Sequence, residues 1–263
     1  MRILFIGEII GKPGRQAVSL LLPRLREELS PDFIAANCEN AAGGSGITKD
    51  TAGEILAAGV DVITLGDHVW SKKESYPYLD EETRVVRPAN YPSGAPGRGW
   101  GVYTVPSGVR VGVMNLCGRI FLDPLDHPFR AADSILETLA PASDVILVDF
   151  HAEATSEKTA FAYYVDGRVS AVVGTHTHVQ TADERILPGG TAYITDAGMT
   201  GPVDSVLGMN KELAIARFVT QMPGKFEVAE GEAALSAVII DVESSSGRAV
   251  RIERLRRSCS EAE

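Results

Sequence analysis

A chain of 263 residues, 44% of them hydrophobic, has ample material for a core, which excludes extended disorder. Its net charge of −10 argues against general binding to nucleic-acid backbones, because that affinity comes from lysine and arginine displacing counterions. A phosphate substrate stays open, since bound cations can supply the positive field that the chain lacks.

The run at residues 3–6 predicts a strand ending in Gly7-Glu8. Residues 15–29 follow, with Val18, Leu21, Leu22, Leu25 and Leu29 spaced for one face of a helix. Residues 33–36 predict a second strand, leading to Asn37-Cys38-Glu39-Asn40, and the glycines at 43, 44 and 46 read as a tight turn. Residues 48–58 predict a short helix opened by Thr48 as N-cap. A third strand at 60–65 leads to Gly66-Asp67-His68, and the Pro/Gly-rich stretch 91–99 reads as a surface loop. Strands are expected at 109–115 and at 144–149, with a helix at 128–139 between them. The second of these leads to Phe150-His151. A strand at 169–173 runs into Gly174-Thr175-His176-Thr177-His178, and one at 191–195 runs into Asp196. Near-continuous apolar runs of this kind belong to strands buried on both faces, and their alternation with helices predicts an α/β sheet. Beyond residue 190 the pattern changes: strands at 191–195, 225–228, 235–241 and 249–253 predict an antiparallel or mixed second sheet. Residues 1–263 read as one domain, with a charged tail from about 254.

Cys38, Cys117 and Cys259 form no CxxC pair, which fits a reducing compartment. Cys38 and Cys117 read as buried small hydrophobes. The N-terminal apolar run is too short for a signal peptide, and no stretch has the ~18 apolar residues of a membrane span. A cytoplasmic protein without a membrane partner is expected.

Ligands of α/β sheets bind beyond the carboxyl ends of strands. Glu8, Glu39, Asn40, Asp67, His68, His151, His176 and His178 all fall at such ends. In an extended segment, side-chain alternation would put His176 and His178 on one face, both reaching one cleft. Imidazoles mixed with carboxylates point to a catalytic transition-metal site. Asp196 could orient a ligand histidine, Glu153 and Glu157 read as supporting or surface groups, and His127 as a loop residue. No Walker spacing, GxGxxG or GxSxG pattern is present.

Six ordered segments carry a resemblance. They are 5–15, Asn37-Cys38-Glu39-Asn40-Ala41-Ala42-Gly43-Gly44, Thr64-Leu65-Gly66-Asp67-His68-Val69-Trp70, 148–158, Gly174-Thr175-His176-Thr177-His178-Val179, and Thr195-Asp196-Ala197-Gly198-Met199-Thr200-Gly201-Pro202. Together they resemble the YmdB-type metallophosphoesterases, a branch of the calcineurin-like phosphoesterase superfamily. The resemblance implies a sandwich of two mixed β-sheets flanked by helices, holding two metal ions, most often iron or manganese, with zinc also accommodated. It implies phosphodiesterase activity on small phosphodiesters such as 2′,3′-cyclic nucleotides through a metal-activated hydroxide, and a homo-oligomer is compatible with it. Carried over, Glu39 bridges the metals; Glu8, His178 and Asn40 complete one site, and Asp67, His151 and His176 the other. His68 stabilises the phosphate or protonates the leaving oxygen. Two positions depart from the family, which has aspartate at Glu8 and asparagine at Asp67. The extra carboxylate at 67 lowers the net positive charge of a loaded site, which points to slower turnover or, as the alternative, to a regulatory protein that keeps the fold with little catalysis. An amidohydrolase-like barrel is the remaining rival, although its HxH pair would come early in the chain.

Overall fold

Alternate residues of a strand face opposite sides, so strands that are apolar at every position must be covered twice. That requirement shapes the computed structural model, which describes residues 1–262. Five strands come first: β1 (Arg2–Ile6), β2 (Glu8–Ile9), β3 (Phe33–Asn37), β4 (Val62–Thr64) and β5 (Val85–Val86). Between them lie α1 (Gly11–Leu29), α2 (Lys49–Ala57) and the short α3 (Tyr76–Glu81). A second sheet follows, from β6 (Trp100–Thr104), β7 (Arg110–Cys117), β8 (Val145–His151), β9 (Ala171–Thr175), β10 (Arg185–Ile186) and β11 (Ala192–Ile194). Its crossovers carry α4 (Pro128–Ala142) and α5 (Thr155–Tyr164). The chain then returns to the first sheet through β12 (Met199–Pro202), α6 (Lys211–Thr220), β13 (Ala233–Glu243) and β14 (Arg248–Ser258).

The first sheet runs β2-β12-β13-β1-β3-β4-β5, with β14 on the other edge of β13; the second runs β10-β11-β9-β8-β7-β6. Ile3, Phe5, Phe33 and Val62 of one sheet meet Val113, Leu147 and Val173 of the other between them. The opposite face of the first sheet packs Leu4, Ile6 and Ile34 on Val18, Leu22 and Ile55 of its helices. The outer face of the second packs Val148, Phe150 and Val172 on Leu136, Leu139 and Phe161. The result is a helix–sheet–sheet–helix sandwich, in which each fully buried Ile, Leu or Phe contributes roughly 1.5–3 kcal/mol. β1, β3 and β4 are mutually parallel, as are β7, β8 and β9. Among the described residues, no helix is long and apolar enough to cross a membrane.

Several expectations change. α1 begins at Gly11 rather than 15, because Pro13 sits in a first turn that needs no amide donor. Thr48 caps α2 as expected, in a reciprocal box with Thr51. Residues 225–228 are not a strand: they are largely exposed and offer a single bridge, from Val228 to Met209. Of the strands expected beyond residue 190, β11 joins the second sheet, but β13 and β14 do not. β13 is buried along nearly its whole length, so it enters the first sheet antiparallel to β1. Ladder pairing continues through Ser258, past the tail expected from 254, because Leu255 is buried opposite Ala237 while the neighbouring charges face solvent. α5 escaped the helical pattern because its buried face includes Lys158.

Candidate metal centre

Since the parallel strands of both sheets end at the same rim of the sandwich, each loop leaving them delivers polar groups to one place. Glu8 follows β1, Glu39 and Asn40 follow β3, Asp67 and His68 follow β4, His151 ends β8, and His176 and His178 follow β9. All eight residues singled out from the sequence meet there. Gly66 permits the closeness, because a Cβ at that position would overlap the Glu39 carboxylate and the His151 ring.

Glu39 stands in the middle and faces two ways. On its Oε2 side, His151 Nε2 lies at 3.3 Å, and His151 Nε2 is 2.9 Å from Asp67 Oδ1 and 3.0 Å from His176 Nδ1. Glu39, Asp67, His151 and His176 can bring one ligand atom each within 4.8 Å of one another. On the Oε1 side, Asn40 Nδ2 donates to Glu39 Oε1 at 3.2 Å and to Glu8 Oε1, and His178 Nε2 lies 2.9 Å from Glu8 Oε1. Glu8 Oε2 accepts the His176 amide at 3.1 Å. The His68 side chain is 43% exposed at the mouth of the cluster; its Nδ1 lies 2.9 Å from Asn40 Oδ1, and its Nε2 stands 3.7 Å from Asp67 Oδ2.

The surrounding hydrogen bonds fix which ring nitrogen is bare. Thr175 Oγ1 donates to Asp149 Oδ1 at 2.7 Å and therefore accepts from His151 Nδ1 at 2.9 Å, which leaves Nε2 free. Leu207 O accepts from His178 Nδ1 at 2.9 Å, and Glu153 Oε2 lies 3.1 Å from His176 Nε2. Each imidazole thus presents a lone pair towards a carboxylate oxygen. Such convergence demands a proton or a cation. Without a cation the chain takes protons. Burial disfavours the charged His151, but the facing Glu39 and Asp67 outweigh it and push its pKa well above the usual value. Burial likewise opposes the charged His178, and Glu8 wins, raising it to about 9. Burial opposes ionisation of Glu8 too, yet His178 and His151 hold its carboxyl below the usual range. Asp67 is also lowered, burial being outweighed by its bonds to His151 and His176. Glu39 goes up, because burial exceeds what His151 returns. The donor set therefore fits cations, and imidazole with carboxylate suits a transition metal. Asn40 fits one only with its amide turned so that Oδ1 faces Glu8.

Two readings from the sequence need correction. His176 and His178 do not share a cleft through strand alternation: the strand stops at Thr175, and their φ angles are 98° and 65°. This left-handed backbone, costly for non-glycine residues, turns both rings inward. Among the described residues, the Asp196 carboxylate makes no hydrogen bond to an imidazole. It pairs with buried Lys158 at 2.9 Å and holds the Thr177 amide and hydroxyl, fixing the loop between the two histidines. Cys38 and Cys117 are buried as expected, and His127 caps α4 through Phe129 N. Glu157 binds the amides of Arg119 and Ile120. Sequence reasoning missed Asp149, which also takes Asn37 Nδ2 at 2.8 Å and the Thr64 hydroxyl. Burial pushes its pKa up to about 6 against these donors and against His151. An aspartate inside an otherwise apolar strand was the available signal.

The family model described as YmdB-like protein matches residues 4–255. A Bacillus subtilis protein named 2′,3′-cyclic-nucleotide 2′-phosphodiesterase is 52% identical over 255 residues, covering 97% of this chain and 96% of its own. The crystal structure of a hypothetical protein from Thermus thermophilus superposes with a TM-score of 0.92 at 47% identity, covering 98% of this chain and 99% of that one. The calcineurin-like phosphoesterase YfkN from Bacillus subtilis shares the fold at 12% identity, with a TM-score of 0.57 and coverage of 99% and 91%. The chain belongs to the YmdB-like protein family and has the calcineurin-like phosphoesterase fold.

Proposed function

We propose that the chain is a dinuclear metal-dependent phosphodiesterase acting on small phosphodiesters, with 2′,3′-cyclic nucleotides as the substrate class. One observation supports this reading: Glu39 stands between Asp67, His151 and His176 on its Oε2 side and Glu8, His178 and Asn40 on its Oε1 side, which suits a bridging role. Asp67, His151 and His176 would hold one cation, and Glu8, His178 and a turned Asn40 the other. Iron or manganese suits this mixture, and zinc is compatible with it. When bound, two cations supply an activated water and clamp the attacking and leaving oxygens of an in-line displacement.

The chain's own residues do the rest. Thr175 and Leu207 keep the bare nitrogens of His151 and His178 aimed inward. His68, exposed beside the cluster, is placed to donate from Nε2 to the oxygen that leaves, a role worth about 10²–10⁴-fold. Asp67 works against it in two ways: its carboxylate reduces the positive charge of the loaded site, and at 3.7 Å it competes with substrate for His68. That contact favours the second reading, a regulatory protein of the same fold with little turnover. The relative's name specifies the 2′ bond, which makes a 3′-monophosphate the expected product. Incubation of the manganese-loaded chain with 2′,3′-cyclic AMP should release 3′-AMP, stop on chelation and resume on adding metal. Fully metal-loaded but inert protein would favour the regulatory reading.

A further inference from the structure

The cavity in front of the donor cluster has two unlike walls. His68, His176 and His178 line one, and Leu207, Met209, Phe218 and Phe226 line the other, around a space of about 300 Å³. The two phenyl rings do not belong to the core, since Phe218 is 80% and Phe226 43% exposed. Phe218 lies one helical turn beyond Ala214, the buried residue of α6, so the helix face that packs inward is the face that carries the ring. Phe226 is held by the Arg217 guanidinium, 4.6 Å from its ring centre. A ring already anchored loses less freedom when a ligand arrives.

A centre that holds a phosphodiester must leave room beside it for what the phosphate carries. The geometry points to a nucleobase subsite formed by Phe218 and Phe226, with Leu207 and Met209 as its floor; this rests on the phosphodiesterase reading above. Nucleobases stack on aromatic faces whatever their identity, because each has a π face. The apolar wall has no hydrogen-bonding side chain to read a base edge, so it separates nucleotides from base-free phosphodiesters without choosing among the four bases. A volume near the lower end of small-molecule pockets accommodates one nucleoside and not an oligonucleotide.

The test compares 2′,3′-cyclic AMP and 2′,3′-cyclic UMP with ribose 2′,3′-cyclic phosphate, which lacks a base, using manganese-loaded protein. Phe218→Ala and Phe226→Ala should each lower kcat/KM for both nucleotides about tenfold, mainly through KM. The base-free substrate should be unaffected, and Phe218→Trp should keep wild-type behaviour. Equal losses on all three substrates, or none, would overturn the subsite. So would loss on all three accompanied by a changed oligomeric state in light scattering, which would place the ring in a contact between copies. Calorimetric titration with 3′-AMP separates the subsite from the chemistry. If the wild type turns over nothing, the phosphodiesterase reading fails, while binding that weakens in Phe218→Ala still supports the subsite and unchanged binding overturns it.

Discussion

His151 and His178 each turn one nitrogen towards a carboxylate, but different structures hold them there. His151 is anchored through Thr175 to Asp149, and Asp149 also accepts from Thr64 and Asn37 of the facing sheet. Both sheets of the sandwich therefore fix that ring. His178 hangs on one backbone carbonyl, Leu207 O, in a loop where Leu207 and Gly208 have φ angles of 53° and 91°. The His151 side of the cluster is thus tied into both sheets, whereas His178 depends on a loop that also forms the apolar wall. The difference predicts stepwise loading, with the cation beside Asp67, His151 and His176 held more tightly.

The largest expected effect comes from removing what the halves share. Glu39→Gln should disrupt both cation sites and lower turnover by about 10³-fold or more, a loss of several kcal/mol of charge stabilisation. Retention of two tightly bound cations by that variant would break the comparison. A pair of smaller perturbations separates the halves. Thr175→Val leaves the His151 Nδ1 proton without its acceptor and should weaken the tighter cation about 10–100-fold. Gly208→Ala strains a left-handed position where the new Cβ meets Ile10 at 2.7 Å, and should weaken only the looser cation, by about tenfold. Manganese titration by calorimetry should show the two variants affecting different steps; the same step affected in both would remove the distinction. The smallest effect belongs to Asp67→Asn. It restores a neutral donor and frees His68, and should raise kcat a few-fold at equal metal content; unchanged or lower kcat would count against the charge argument.

The layered α/β organisation was legible in the sequence because strands buried on both faces write themselves as unbroken apolar runs. The convergence of the candidate residues was legible for a related reason, since Glu8, Glu39, Asp67, His151 and the two later histidines each interrupt or end such a run. What stayed hidden depended on tertiary placement. Nothing in residues 233–242 says that they enter beside β1 rather than start a sheet of their own. The inward turn of His176 and His178 comes from left-handed backbone, which the surrounding loop imposes and which HxH spacing does not encode. Lys158 hid α5. Asp149 was visible as a charge in an apolar strand, but its tie to His151 runs through Thr175, a residue with no distinguishing pattern.

The central claim is that two cations share Glu39. Anomalous scattering from crystals of the manganese-loaded chain tests it directly. The account predicts two peaks flanking the Glu39 carboxylate, one beside Asp67, His151 and His176 and the other beside Glu8 and His178. A single peak confined to the first set at saturating manganese would contradict it.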